Sequence, residues 1–181
     1  MAEYKNLEIV RDKKTLIATL LTGLKKDTLR DSLRELLAFF DDEATEQGVN
    51  AIVLVGDFDA PAGADEVGAL CEAIESSPRP VIAAITGSAQ GAGFELVLAC
   101  DLRVAAESAR FGFPGTGGGP AVRLGRMIGL ARAKHLALTG QIIDALEAER
   151  LGLTSYTAGA AEVPVVARKL ARSVASRASR K

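Results

Sequence analysis

The stretch Pro80-Val-Ile-Ala-Ala-Ile-Thr-Gly-Ser-Ala-Gln-Gly-Ala-Gly-Phe-Glu-Leu-Val-Leu-Ala-Cys-Asp101 decides how this chain folds. Behind Pro80, Val81–Ile85 is a continuous apolar run of strand length, the kind that a parallel sheet buries on both faces. Gly87–Gly93 is a run of small residues that predicts a tight turn opening a helix, and the helix runs on through Ala99. Strand, small-residue turn and apolar helix in direct succession form one βα unit.

The same alternation extends in both directions. Upstream, Leu7 and Ile9 alternate before Asp12-Lys13-Lys14, and Thr15–Leu21 follows, so an N-terminal hairpin is predicted. Leu29, Leu33, Leu36, Leu37 and Phe40 recur at helical spacing and predict an amphipathic helix after Asp27. Ala51–Val55 is a second buried strand, and Asp65 is placed to cap a short helix carrying Val67, Leu70, Cys71 and Ile74. Downstream, Leu102 and Val104 mark a further strand, and Gly112–Pro120 is a loop with five glycines. Helix returns from about Val122, Asp144 with Glu147 forms a capping box, and Val166, Leu170 and Val174 mark a last helix. Strands alternating with helices, without an internal repeat or linker, predict one α/β domain over residues 1–181 with a mostly parallel sheet.

Composition narrows the function. The chain has 181 residues, 48% of them hydrophobic and 25% charged, which suits one domain with a sizeable core. The 22 basic residues against 23 acidic ones, and an aromatic content of 4% without Trp, argue against a nucleic-acid binder. No apolar run has the ~18 residues of a membrane span, and the start, MAEYKNLEIV, lacks the layout of a signal peptide. A cytoplasmic protein is expected, with Cys71 and Cys100 as buried free thiols and no metal site. Six basic residues follow Glu162, the last acidic one: Arg168, Lys169, Arg172, Arg177, Arg180 and Lys181. They read as a solvated helix face, or as a site for phosphate groups or an acidic partner.

Three common chemistries find no support. The glycine-rich loop lacks the Gly-Lys-Ser/Thr ending of a phosphate-binding P-loop. Ile85–Gly93 imitates the TGxxxGxG turn of short-chain dehydrogenases, but neither Tyr4 nor Tyr156 has the Lys four residues later that such enzymes need. His135 is the one histidine and sits among helical residues, so a His-based triad or metal centre is not indicated.

Joined to Ala60-Pro61-Ala62-Gly63-Ala64-Asp65, which follows the Ala51–Val55 strand, the central stretch resembles the crotonase (enoyl-CoA hydratase/isomerase) superfamily. The family pattern has an AGAD-like turn, then PVIAAxxGxAxGxGxELxLACD, a strand, and AxFGxPE. Leu138-Thr139-Gly140 through Arg150-Leu151-Gly152-Leu153 is similar to its later LTG…AxRLGLV segment. The resemblance covers most of residues 4–175. It implies a single-domain spiral of β-β-α units, related to the Clp protease fold, although the serine and histidine of those proteases are missing here.

The resemblance also implies roles. Its members bind acyl-CoA thioesters and stabilise an enolate oxyanion with two backbone N–H groups, which by position would be those of Ala62 and Ala92. Ala60, Gly63, Ala64 and Gly91 would line the substrate. Small side chains suit these tasks, because a ligand must approach the backbone closely. Ala92 would open a helix, where free N–H groups and the helix dipole favour developing negative charge. Glu95, three residues later on the same side of the first turn, matches the first of the two hydratase glutamates. The helix end favours its ionised form, which suits a base. The plainer reading is a helix-start glutamate complementing the dipole in solvent, and small residues that merely permit close packing.

Departures bear on the chemistry. The second hydratase glutamate should follow Pro114, where this chain has Gly115, and the loop after it is short. Asp57 and Asp59 stand where relatives often carry cations near the CoA phosphates; Lys25 and Lys26 are the substitutes at hand. The segment between Asp65 and Pro80 is short, and the sequence stops near where the family's C-terminal trimerising helices begin. Two functions fit. One is an enoyl-CoA hydratase/isomerase-like enzyme acting on an acyl-CoA or carrier-linked thioester, with Glu95 as its base, no cofactor beyond the CoA of the substrate, and a trimeric or hexameric assembly. The other is a non-catalytic homologue serving as a binding or assembly subunit.

Overall fold

The first turn of the chain is made by two residues, Lys13 and Lys14, and Lys13 takes a left-handed φ of 58° to close it. That turn joins strand β1 (Leu7–Asp12) to β2 (Thr15–Leu20) as an antiparallel hairpin, in the predicted place. The computed structural model describes residues 4–178 except 22, 25, 26, 43, 45, 61–65 and 115–120. The expected cap Asp65, the turn residues Ala62, Gly63 and Ala64, Lys25, Lys26 and Gly115 therefore lie outside the described residues.

From β2 the sheet grows in parallel: β3 (Ala51–Ala60), β4 (Val81–Gly91), β5 (Leu102–Ala106) and β8 (Tyr156–Ala158) follow in that spatial order. Short β6 (Arg110–Gly112) branches off by pairing parallel to β4 and antiparallel to β7 (Ile143–Asp144). The helices α1 (Leu29–Asp41), α2 (Glu66–Glu75) and α3 (Ala92–Ala99) return the chain between strands. They are followed by α4 (Ala121–Ile128), α5 (Leu130–Thr139), α6 (Ala145–Arg150) and α7 (Val163–Ala178). This is the expected α/β architecture, a mostly parallel sheet with helices between its strands.

Two strands exceed the sequence expectation, and their extra length builds the site. The expected Ala51–Val55 strand continues to Ala60, and the expected Val81–Ile85 strand continues through Gly91. The first halves pair as central strands buried on both faces, Ile52 with Val81 through Gly56 with Ile85. Beyond an irregularity between Gly56 and Phe58, pairing resumes as Phe58 with Ala89, Asp59 with Gln90 and Ala60 with Gly91. There β3 alternates, with Phe58 and Ala60 buried and Asp57 and Asp59 exposed, the pattern of a strand with one wet face. Gly87–Gly91 belongs to the stretch Gly87–Gly93 that the sequence predicts as a small-residue turn. The structure keeps it as strand because β3 on one side and β6 on the other supply partners, Ala89 also matching Phe111.

Other local expectations meet the structure closely. Asp144 caps α6, its carboxylate accepting from the Glu147 amide at 2.8 Å. The helix expected from Val122 is divided at Gly129, whose φ of 84° ends α4 and starts α5. Cys71 and Cys100 are buried free thiols, as expected.

One buried cation locks α3 to the sheet. Arg103, on β5, is only 7% exposed. It donates to the carbonyls of Cys100 (2.6 Å), Leu153 (2.5 Å), Val97 (3.3 Å) and Asp101 (3.4 Å). Three of these lie at or just past the C-terminal end of α3, where unmatched carbonyls and the helix dipole attract a cation. Burial lowers the Arg103 pKa from its ordinary value. No helix among the described residues is long and apolar enough to cross a membrane.

Candidate active site

The residues singled out in the sequence meet where β3 and β4 end side by side. Ala60 is the register partner of Gly91, and Ala92 begins α3 in the next position. The ends of parallel strands, next to a helix N-terminus, are where open α/β sheets receive ligands. Gly91 caps α3 with φ 56° and ψ −128°, a conformation that side chains with a Cβ rarely adopt. Ala92 is 2% exposed, and its N–H belongs to the first turn of α3, whose donors lack partners within the helix. Ala60 is buried as well. The structure thus brings together Ala60, Gly91, Ala92 and Glu95, whereas Ala62, Gly63 and Ala64 lie outside the described residues.

The contacts of Gly93 explain the third glycine of the motif. A Cβ built on it would overlap the carbonyl oxygen of Phe58, so the first turn of α3 lies directly against the β3 backbone. Phe94 faces the other way and anchors the turn in an aromatic group. Its ring centroid lies 4.8 Å from Phe113 and 5.8 Å from Phe111. Phe113 immediately precedes Pro114 and the glycine-rich loop, so the start of that loop is tied to the turn carrying Glu95.

Glu95 is half-buried between two fully buried neighbours, Phe94 and Leu96. Burial raises its pKa above the ordinary carboxylate value, and the charge of Arg123 partly offsets the rise. The shift runs opposite to the one the helix end alone would give: loss of hydration outweighs the charge of Arg123. A carboxylate raised toward neutrality is better matched to proton transfer near pH 7 than an ordinary one.

Arg123, on α4, escaped the sequence reading, as did its partner Glu75 on α2. The guanidinium donates through Nε to Glu75 Oε1 at 2.7 Å and through a terminal nitrogen to Oε2 at 3.0 Å, a two-pronged bond tying α4 to α2. This bond lowers the Glu75 pKa. Cys71, fully buried on α2, senses the charges of both Arg123 and Glu95, and burial pushes its thiol up to about 12, leaving it inert. The available signal was the spacing of Arg123 within a helix following the loop, but its partner is 48 residues away in sequence.

Asp57 has a structural task that its charge alone did not suggest. Its Oδ1 accepts from the amides of Ser88 (3.1 Å) and Asp59 (3.2 Å), clasping β3 to β4 at the irregularity. Gly87 makes room for it, since a Cβ there would lie 2.6 Å from the Asp57 carboxyl carbon. His135 is exposed on α5 beside Gln141 (3.1 Å), away from the elements that carry the site, as the sequence suggested. Of the basic tail, Arg172 pairs with Asp12 at 2.6 Å and Arg168 donates to the Pro164 carbonyl at 3.2 Å.

Residues 62–181 match the enoyl-CoA hydratase/isomerase family. The chain is 33% identical to a crotonyl-CoA hydratase of Syntrophomonas wolfei, over 96% of this chain and 77% of that protein. A short-chain-enoyl-CoA hydratase of Clostridium acetobutylicum is 39% identical over 58% of this chain and 42% of its own length. Several curated relatives are matched over less than half of their length. Among solved structures, an enoyl-CoA hydratase from Bacillus anthracis superposes with a TM-score of 0.80 at 31% identity, covering 95% of this chain and 77% of that one. With its central motif laid out as two strand ends and a glycine-opened helix, and with these matches along most of its length, the chain belongs to the enoyl-CoA hydratase/isomerase family.

Proposed function

We propose that this protein acts on an acyl-CoA or carrier-linked thioester by one-base enolate chemistry. Glu95 takes the α-proton, the C–H electron pair moves into the thioester carbonyl, and the N–H groups of Ala92 and Ala62 hold the resulting oxyanion. When the Glu95 carboxyl first trades that proton with water, its return to the same carbon gives exchange; delivery two carbons along gives isomerisation of a double bond. The observation that carries this reading is the junction of Ala60, Gly91, Ala92 and Glu95 at the strand ends, with Glu95 half-buried and raised in pKa. Each oxyanion donor in such a site is worth roughly 3–4 kcal/mol to the transition state.

Hydration asks for more. It needs a second acid/base group to handle the water, and the family position for it is Gly115. One-base reactions therefore fit these side chains better than hydration.

Two measurements test the reading. Acetyl-, crotonyl- and longer acyl-CoA esters are screened for thermal stabilisation, where a ligand at 100 times its Kd adds about 2.7 kcal/mol. Loss of α-deuterium from a labelled acyl-CoA is then followed by mass spectrometry. Binding with exchange supports the enzyme. Binding without exchange would favour the non-catalytic subunit for which Gly115 argues, and neither binding nor exchange would refute the thioester reading itself.

A further inference from the structure

The N-terminal ends of the parallel strands lie at the opposite end of the sheet from the candidate active site. Thr15 is the register partner of Ala51, the first residue of β3, whereas the site lies at Ala60, its last. At about 3.3 Å per residue the two places are roughly 30 Å apart. Here the Lys13-Lys14 turn and the last turns of α7 enclose an open cleft of about 450 Å³. Lys13, Lys14 and Thr15 form one wall, and Arg172, Ala175 and Ser176 the other. Asn50 fixes both. Its backbone amide donates to the Lys14 carbonyl at 2.7 Å, and its Nδ2 donates to the Ala175 carbonyl at 3.3 Å.

Three cations and one carboxylate, Asp12, line this cleft. Asp12 holds Arg172 through one terminal nitrogen at 2.6 Å, so most of the five N–H groups of the guanidinium stay available. Lys13 is exposed and has no carboxylate partner among the described residues. The rest of α7 adds Arg168, Lys169 and Arg177 and carries no acidic side chain. Two features besides charge point to a ligand. Thr15 is 1% exposed, and its hydroxyl has lost water without gaining any hydrogen-bond partner. Lys13 is the one non-glycine residue with a left-handed φ among the described residues. A turn built only for closure would take Gly or Asn there.

We propose that this cleft binds a phosphate group, either as the free ion or as the monoester of a small molecule. This second site does not depend on the reading of Glu95. The Lys13 ammonium and the Arg172 guanidinium take the phosphate oxygens, and the Thr15 hydroxyl gains the acceptor it lacks. Asp12 repels every anion, so the cleft favours a group with more than one negative charge, a phosphate over a carboxylate. The lysine and arginine stems with Ala175 offer apolar surface to the body of a monoester. The volume lies within the range of small-molecule sites, about 300–1,000 Å³.

The test is an amide NMR titration of the protein with inorganic phosphate and with adenosine monophosphate, using adenosine and acetate as controls. Both phosphates should move the amides of Lys13–Thr15 and Arg172–Ser176 to saturation, and neither control should. Tighter binding of the monophosphate assigns the site to a monoester and equal affinities assign it to the free ion; either supports the site. Lys13→Gly should weaken binding about tenfold, the worth of one charge-assisted hydrogen bond, and so should Arg172→Gln. Because glycine takes a left-handed φ readily, Lys13→Gly should melt no lower than the parent. Thr15→Val should weaken binding about threefold or more without lowering Tm, since the hydroxyl has no partner to lose. A merely structural role for these two residues would instead lower Tm and leave affinity alone. The proposal is overturned if neither phosphate saturates these amides, if a control moves them as far, or if Lys13→Gly binds like the parent. Should Arg172→Gln fail to fold, the other two variants decide it: weaker binding with a parent-like melt in both supports the site, and parent affinity in either overturns it.

Discussion

Gly93 rests its backbone against the carbonyl of Phe58, and no side chain fits between them. That contact joins the second half of β3 to the first turn of α3, so the depth at which Ala92 and Glu95 sit is set by the absence of one methyl group. Gly93→Ala must push two backbones apart, and neither is the flexible end of a side chain. We expect a loss of about 3 kcal/mol and a fall in Tm of roughly 6–12 °C for a chain of this size. A thermal melt of the variant reads it, and an unchanged Tm would show that the turn relaxes at no cost.

Glu95→Gln should lose α-proton exchange by about 10²–10⁴-fold while retaining acyl-CoA binding. The same change should stabilise the protein near neutral pH. Because burial raises the folded-state pKa of Glu95, the folded state binds the proton more tightly than the unfolded one. Its contribution to stability is therefore greatest in acid and is lost as pH rises through the raised pKa, the reverse of an ordinary paired carboxylate. Melts of parent and variant should differ at pH 7 and converge below the usual glutamate range. A variant less stable than the parent at pH 7 would contradict this sign.

Crotonyl-CoA hydration by the unmodified protein should be slow by about 10²–10⁴-fold relative to an enzyme with two carboxylates, since each acid/base group contributes on that order. Gly115→Glu should raise hydration without raising α-proton exchange. Brisk hydration by the parent protein would overturn the single-base assignment.

Arg103→Ala should cost about 3 kcal/mol or more, because it leaves four carbonyls near the end of α3 without their donor. Arg103→Lys should recover part of the loss, an ammonium keeping the charge but not the planar fork. Denaturant midpoints of the two variants provide the check, and equal midpoints would show that the fork has no special role.

Much of the architecture was legible in the sequence because its signals are local. The hairpin at Lys13-Lys14, the amphipathic spacing of Leu29 to Phe40 and the Asp144 cap three residues before the Glu147 amide depend on neighbours within a turn or two. The stretch from Pro80 to Asp101 likewise carried both a strand and a helix in its hydrophobic pattern, and its motif pointed to the family that residues 62–181 then matched.

What only the tertiary structure decided came from partners distant in sequence. The Gly- and Ala-rich stretch 87–91 has little strand preference of its own; β3 and β6 keep its end extended by pairing with Ala89 and Gln90 from both sides. The helix start alone argued for an ionised Glu95, yet packing of its turn removed enough water to raise its pKa instead. Arg123 and Glu75, and Arg103 with the Leu153 carbonyl 50 residues away, form ion pairs and hydrogen bonds that no local pattern encodes. The sequence determined which elements form and where the small residues and the carboxylate lie along them. Folding determined the dielectric around that carboxylate and the charge beside it, because both depend on how much of the rest of the chain stands between the residue and water.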